Sequence, residues 1–591
     1  MNILLEEKEI LEIVKEDKAQ ALSYYTNQLK PKFQKYYELY NGNKIDTKKY
    51  RMPESSFISR DVLVAIRAVM PDINKLLLTS NPVEITARNG EDEEKARKMQ
   101  ALLNYQITSQ NPYHTVFTRL ITNALITGCA ALKVLWEKEA EEKLVEEVAD
   151  YERLQLLISK GFKVSYKQEY INGALKYRVK YKAMTITKNQ PVFEVLPYDE
   201  FLFDASASSV QEANFIIHRK LVSYDYLKRR QKAGVYKNIS DLKDNIYTYE
   251  DDDINCEKTG KIYGYGSKKR KMYMINEYWG KIDINKDGID EFVVISYCGN
   301  QILAIEENTF GMYPFFVYTP FLSMDSIAGK GMAELSENMQ IIKTALIREI
   351  LENTRRNNNR KIFYKVDDLL NPSQMVTNEQ YVAVRDSADI NNIFAPEPFE
   401  AISSNTFNLI EYFDKENQKV TGISDMKQGI RRQVENMSAT EAQIKYESSN
   451  SQVQAIVQNF AESLKETYRF LIYQNQKFMD NMQVIRLIND TIEVNPKDIK
   501  DIDFDISVSQ AISSGTEETR RRALSTALSL MIEIGEPRNL TDKLRIRNLM
   551  AKLLEESGLK DTDNYLLSVE KIMEQEKSGS IRNSSSEKAN S

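Results

Sequence analysis

Along this 591-residue chain the hydrophobic positions change period, and each change marks an element. Over residues 3–40, Leu4, Leu5, Ile10, Leu11, Ile13, Val14, Leu22 and Leu29 favour one side of a helix, which Asn41-Gly42 should stop. After Ser59, Val62, Ile66, Val69, Ile73 and Leu77 fall on one stripe, and Pro71 inside it predicts a kink. A helix over 91–109 opens on Glu91-Asp92-Glu93-Glu94, acids suited to the positive end of the helix dipole. An apolar helix follows over 113–128, then a buried strand from Ala130 to Trp136. Residues 137–188 read as a charged helix mixed with alternating segments such as Tyr177-Arg178-Val179-Lys180-Tyr181, and 191–220 as strand and loop. Residues 245–270, polar with Gly and Tyr, read as a flexible excursion; 272–303 reads as a hairpin of Met272–Gly280 and Phe292–Tyr297.

After Gly329-Lys330-Gly331 the pattern becomes helical. Met332, Leu335, Met339, Ile342, Leu346 and Ile350 form a narrow apolar seam over 332–356. That predicts a helix of about 37 Å at 1.5 Å per residue. Short strands and loops are expected over 361–400, and a helix over 404–421 ended by Gly422. Ser438-Ala439-Thr440-Glu441 is a capping box that opens a very long helix, 437–483, with Val453, Ile456, Phe460, Leu464, Leu471 and Phe478 on one side. A strand at 502–509 precedes final helices over 516–577, and the Ser-rich tail 578–591 reads as disordered. The expected fold class is α+β, mainly helical.

Composition narrows the function classes. The chain is too long for one ordinary core. With 42% hydrophobic and 28% charged residues it reads as soluble and globular, with no apolar run of membrane-spanning length. The acidic, amphipathic start reads as neither a signal nor a transit peptide. Cys129, Cys256 and Cys298 are scattered, so neither a disulfide framework nor a zinc site is expected, and Cys129 reads as a small core residue. Only two histidines occur, His114 and His218, which excludes most His-based metal and acid–base sites; both read as structural. Gly329-Lys330-Gly331 lacks the spacing and the Ser/Thr of a phosphate-cradling loop, and GxSxG, HExxH and CxxC are missing from the sequence. No enzyme activity and no cofactor are expected.

Two strings carry candidate chemistry. Asp283, Asn285, Asp287 and Gly288 match positions 1, 3, 5 and 6 of a calcium loop, but Val294 stands at position 12 and strands flank the string. The reading adopted is a hairpin turn, with no metal assigned. Lys427, Arg431 and Arg432 lie in a Gly-containing segment between two helices, open to two readings: a basic loop touching DNA phosphates, or a solvated loop.

Over most of residues 40–520, ordered segments resemble the portal proteins of tailed bacteriophages, of the P22-like podovirus type. They are Ser59-Arg60-Asp61-Val62 with Met70-Pro71-Asp72-Ile73-Asn74-Lys75-Leu76, and Glu91 to Ala96 leading to Asn104-Tyr105-Gln106. Asn123 to Gly128 with Leu132 to Trp136, Glu194 to Phe201, and the Asp-rich turn at 283–291 follow. The most specific is Gly329-Lys330-Gly331-Met332-Ala333-Glu334-Leu335, then Asn338 to Arg348; Val420-Thr421-Gly422-Ile423, Gln428-Gly429 and Ser438-Ala439-Thr440 complete the order.

The resemblance implies a wing (1–331), stem helix 1 (332–356), a clip (357–403), stem helix 2 (404–421), a tunnel loop (422–437), a C-terminal wing part (438–515), crown helices (516–577) and the tail. It implies a homo-dodecameric ring at one capsid vertex of the virion, made in the host bacterial cytoplasm, through which double-stranded DNA is packaged and ejected. Implied partners are the terminase large subunit, major capsid and scaffolding proteins, and head–tail adaptor or tail proteins, with no membrane. Lys427, Arg431 and Arg432 are then candidate channel residues of the tunnel loop, and Glu337, Gln340, Lys343, Thr344 and Glu352 candidate channel-facing stem residues. A net charge of −6 fits a conduit that must let DNA slide rather than hold it. The competing reading is another phage structural protein, a head–tail adaptor or scaffold.

Overall fold

The computed structural model describes residues 4–43, 50, 52–53, 55–79, 81–87, 93–171, 174–244, 272–359, 362–371, 373, 384–385, 394–396, 402–423, 439–480, 483–486, 491–500, 504–508, 517–535, 543–556 and 565–567. Helices hold 51% of the residues and strands 24%, so the class is α+β with helix dominant. The chain divides into two compact units, 1–74 with 108–471, and 75–107 with 472–591.

The first unit opens with helix α1 (Glu7–Tyr24), a π-helical turn at Tyr25–Leu29, and α2 (Lys30–Asn41). Gly42 ends α2 with φ 65°, the left-handed conformation a helix C-terminus favours in glycine. The long helix expected over 3–40 is therefore present, interrupted by one wide turn. The chain then enters α3 (Asp61–Leu77), which runs through Pro71 and buries Val62, Ile66, Val69, Ile73 and Leu77 as the stripe requires. Helix α5 (Tyr113–Thr127) stops at Gly128, φ 82°.

Two antiparallel sheets follow. One has four strands in the order β10-β2-β4-β3: β2 (Ala130–Ala149), β3 (Val164–Ile171), β4 (Ala174–Leu196) and β10 (Phe315–Tyr318). The other is a five-stranded meander of β5 (Phe201–Phe203), β6 (Phe215–Ser223), β7 (Met272–Ile282), β8 (Glu291–Cys298) and β9 (Gln301–Glu307), with helix α7 (Tyr224–Lys232) following β6. The expected hairpin is thus β7–β8, extended by a third strand.

The reading of 137–188 needs correction. Strand β2 does not end at Trp136; it pairs with β4 from Ala131↔Leu196 to Ala149↔Tyr177, with one bulge at Glu139/Ala140. Two of the glutamates that suggested a helix surface pair with lysines of β4 instead, Glu146 with Lys180 and Glu137 with Lys188. Among the described residues there, only α6 (Tyr151–Ser159) is helical, and it packs Leu154 and Leu157 on Tyr177, Val179 and Tyr181.

Helix α8 (Met332–Asn358) and α9 (Ser404–Thr421) pack on each other, joined through a small ladder of β11 (Ile362–Tyr364) and β12 (Phe394–Pro396). Helix α10 (Ala439–Phe478) buries Val453, Ile456, Phe460, Leu464 and Leu471, the expected side. In the second unit, β1 (Val83–Ala87) pairs with β15 (Phe504–Val508), and α4 (Glu93–Thr108) lies beside β1. There Asn104 and Gln100 side chains accept from Val83 N (3.1 Å) and Ile85 N (3.0 Å), satisfying two backbone amides of a half-buried edge. Strands β13 (Gln483–Arg486) and β14 (Thr491–Val494) and helices at Glu517–Leu530 and Lys543–Glu556 complete this unit. The expectations for 245–270, for Ser438 and for 578–591 lie outside the described residues.

Candidate functional site

The best candidate is the α8–α9 helix pair, because its sequence is the most distinctive and its surface the least finished. At about 1.5 Å per residue, α8 is about 40 Å long.

Its start is fixed by a backbone crossing of glycines. A Cβ on Gly331 would sit 2.6 Å from Ile126 O and 2.7 Å from Gly128 N; one on Gly128 would sit 2.5 Å from Gly329 O. One on Gly329 would sit 2.3 Å from Phe321 O, and Lys330 N donates to Phe321 O at 2.9 Å. The Gly-Lys-Gly string is therefore a tight pass of two main chains, the end of α5 against the entry to α8.

Beside the apolar Met332, Ala333 and Ile341, the buried face of α8 carries a polar stripe. Ser336, Gln340, Thr344 and Arg348 recur every fourth residue and are at most 2% exposed. Gln340 and Thr344 meet the ends of neighbouring helices, where backbone groups lack intrahelical partners, and Arg348 reaches the chain that leads into α3. Gln340 Oε1 accepts from Val62 N at 2.9 Å, in the first turn of α3, and its Nε2 donates to Leu39 O at 3.0 Å, in the last turn of α2. Thr344 Oγ1 accepts from Ser59 N at 3.1 Å and donates to Gln340 O at 2.6 Å. Arg348 Nε donates to Phe57 O at 2.8 Å; burial holds this guanidinium below its ordinary pKa.

This corrects the expected geometry. Gln340 and Thr344, expected to face a wet channel, have no exposed surface, because two helix ends need their amide and hydroxyl. The apolar seam is a flank rather than the core: Met332 is buried, Leu335, Met339, Leu346 and Ile350 are half-buried, and Ile342 is 37% exposed. On α9, Phe407, Leu409, Tyr412 and Val420 are also exposed.

The other stem candidates sit in ion pairs. Lys343 Nζ lies 2.9 Å from Asp61 and 2.5 Å from Asp414, tying α8 to α3 and α9. Burial opposes its charge, but the two carboxylates outweigh this and hold its pKa above the ordinary lysine value. Glu337 pairs with Lys35, and Glu352 with Arg355 and Arg356 at 3.3 and 3.2 Å. Lys427, Arg431 and Arg432 lie outside the described residues.

The acidic turn at 283–291 brings ligand atoms of Asp283, Asp287 and Glu291 within 4.8 Å of one another. Those oxygens already serve the backbone: Asp283 accepts from Asp287 N (3.2 Å) and Gly288 N (2.9 Å), and Glu291 from Ile284 N (2.8 Å). Asn285 Oδ1 accepts from Asp287 N at 2.8 Å. Lys286 and Gly288 adopt φ 61° and 86°, as a tight hairpin turn demands.

A charge cluster was not legible in the sequence. Lys133 of β2, 2% exposed, pairs with Glu277 of β7, and its Nζ lies 3.1 Å from His218 Nδ1 of β6. The rings of Trp279 and Phe315 flank the ammonium at 5.7 and 5.4 Å. Burial pushes the Glu277 carboxyl upward, but Lys133 and His218 override it and hold it well below the carboxylate range. Nearby, Glu194 of β4 pairs with Lys220 of β6. The cluster joins the two sheets. Only its residue types were visible beforehand, since Lys133 and Glu277 lie 144 positions apart.

A family model described as phage SU10 portal protein matches residues 10–588 of this chain, close to its whole length.

Proposed function

The chain belongs to the phage SU10 portal protein family and is a portal subunit, a structural component of the virion at the capsid vertex; from that premise we propose how its parts act. The match spans too much of the chain to favour the adaptor or scaffold reading. Subunits assemble into a twelve-membered ring that double-stranded DNA crosses during packaging and ejection. The ring docks the terminase large subunit, and afterwards an adaptor or tail protein, and sits among capsid and scaffolding proteins. The motif order over 40–520 supports a P22-like type.

Within the subunit, 332–356 and 404–421 are the stem, 357–403 the clip, 422–437 the tunnel loop, 516–577 the crown, and the remaining ordered chain the wing. The observation that carries the stem assignment is the half-finished surface of α8–α9. Ile342, Leu351, Phe407, Leu409 and Tyr412 stay 37–55% exposed on helices that are otherwise well anchored. Such apolar exposure suits burial by a neighbouring copy. Glu337, Lys343 and Glu352, whose side chains keep 19%, 18% and 25% of their surface, are the channel-facing candidates that remain. Lys427, Arg431 and Arg432 act as tunnel-loop cations on DNA phosphates.

Negative-stain microscopy of the purified chain should show rings with a central hole. A monomer at every concentration and salt would overturn the ring. Lys427→Glu with Arg431→Glu should leave rings intact and lower packaged DNA several-fold; wild-type packaging would dismiss the loop's charge.

A further inference from the structure

We propose that the arm formed by β2, β4 and β3 joins subunits edge to edge: the outer edge of β3 in one copy pairs with the outer edge of β2 in the next. The inference rests on the ring reading above.

Both edges are open among the described residues. Strand β10 covers β2 only at Ala130–Lys133, and Val134 N donates to Pro314 O. From Glu139 to Ala149, β2 has β4 on one side and no strand on the other; β3 likewise has β4 on one side only. Open edges invite another strand, and proteins blunt them with charged side chains, proline, bulges or a covering element. Neither Glu139–Ala149 nor Val164–Ile171 contains proline. Helix α6 covers one face of the arm rather than its edges.

Edge pairing would bury exposed apolar surface on both faces of the arm. Leu144 and Val148 on β2, level with Lys182 and Arg178 on the face away from α6, are 61% and 49% exposed, and Tyr166 and Tyr170 on β3, level with Val179 and Leu175 on the face that α6 covers, are 52% and 80%. Composition separates the two edges. Glu139–Ala149 contains five glutamates and one lysine, whereas β3, Val164–Ile171, contains one of each. The two edges are different surfaces. A ring built by rotation needs such a pair, since head-to-tail contacts close where self-complementary ones stop at two. Direction agrees as well. Strands β2 and β3 are both antiparallel to β4, hence parallel to each other. A modest rotation about a ring axis lays one beside the next in that sense.

Cysteine cross-linking of the full chain tests this. Ser165 and Glu146 both lie level with Lys180, and paired strands about 4.8 Å apart suit a disulfide. Ser165→Cys is combined in turn with Leu144→Cys, Glu146→Cys and Val148→Cys, covering shifts of two residues either way, in a Cys256→Ser background. Cys129 and Cys298 are buried. Copper-phenanthroline with dissolved oxygen supplies the oxidant. In the ring fraction, at least one pair should place more than half of the subunits in a reducible ladder beyond dimer, and no single-cysteine chain should. Rings without cross-links at any pair overturn the arm pairing and leave the ring standing. Cross-links that stop at dimer overturn the head-to-tail sense. A chain that forms no rings overturns the ring reading and this inference together.

Discussion

Replacing Gln340 by Leu separates the two pictures of α8. If the apolar seam held this helix, a leucine on its far side would be harmless or stabilising. In the structure the change removes the acceptor of Val62 N and the donor to Leu39 O, both inside the protein. The Val62 amide is then a buried N–H without a partner, at about 1–3 kcal/mol. Leu39 O keeps a bond from Gly42 N at 3.3 Å, so its loss is nearer about 1 kcal/mol. Together the cost is about 2–4 kcal/mol, and leucine's own burial recovers only part of it. Ile342→Ala on the same helix should cost under about 1.5 kcal/mol, because 37% of Ile342 is already in water. For a chain of two units a single unfolding free energy is poorly defined, so the assay is local and melting temperatures serve only as shifts between variants. Hydrogen exchange of peptides covering 57–64 should quicken roughly 30- to 1,000-fold in Gln340→Leu and little in Ile342→Ala. Unchanged exchange in Gln340→Leu with a large effect of Ile342→Ala would refute the polar-stripe account.

Gly331→Ala should lower stability by at least about 2 kcal/mol, read as a depressed Tm, because its Cβ would meet Ile126 O at 2.6 Å and backbone cannot step aside as a side chain can. Lys133→Met leaves the Glu277 carboxylate without its cation and should cost about 3–5 kcal/mol, with Glu277→Gln added to it restoring part of the loss. The same pair sets an acid limit. Glu277 is depressed in the folded chain, so its contribution is complete above the unfolded carboxyl value of about 4.3 and fades as pH falls through the lower folded value. Melting curves from pH 7 to pH 3 should therefore show an acid loss below about pH 4 that is smaller in Lys133→Met. Burial pushes the Cys129 thiol up to about 12, so iodoacetamide at pH 8 should modify it only after unfolding, as peptide mass mapping would show.

Local signals carried most of the element map. The stripe Val62 to Leu77 and the apolar side of α10 are properties of neighbours three or four positions apart, so helix period reveals them, and the glycine stops at Gly42 and Gly422 are set by the residue itself. The turn at 283–291 was legible for the same reason, since Asp283, Asn285 and Asp287 bond backbone groups within five residues. The ordered motifs along the chain pointed to a portal, and the family match over residues 10–588 agrees.

What tertiary structure alone decided is every choice that depends on a distant partner. Residues 139–149 could be a charged helix until β4 supplies a basic strand, 34 positions away in the Glu146–Lys180 pair. The Gly-Lys-Gly string shows its purpose only when Gly128 is brought against it. The face of α8 that is buried was decided against its own hydrophobicity. The ends of α2 and α3 present a carbonyl and two amides there, and an unmet backbone group costs more than a half-exposed isoleucine. Hydrophobic period reports where apolar side chains lie; only the assembled neighbours report where the backbone needs a partner.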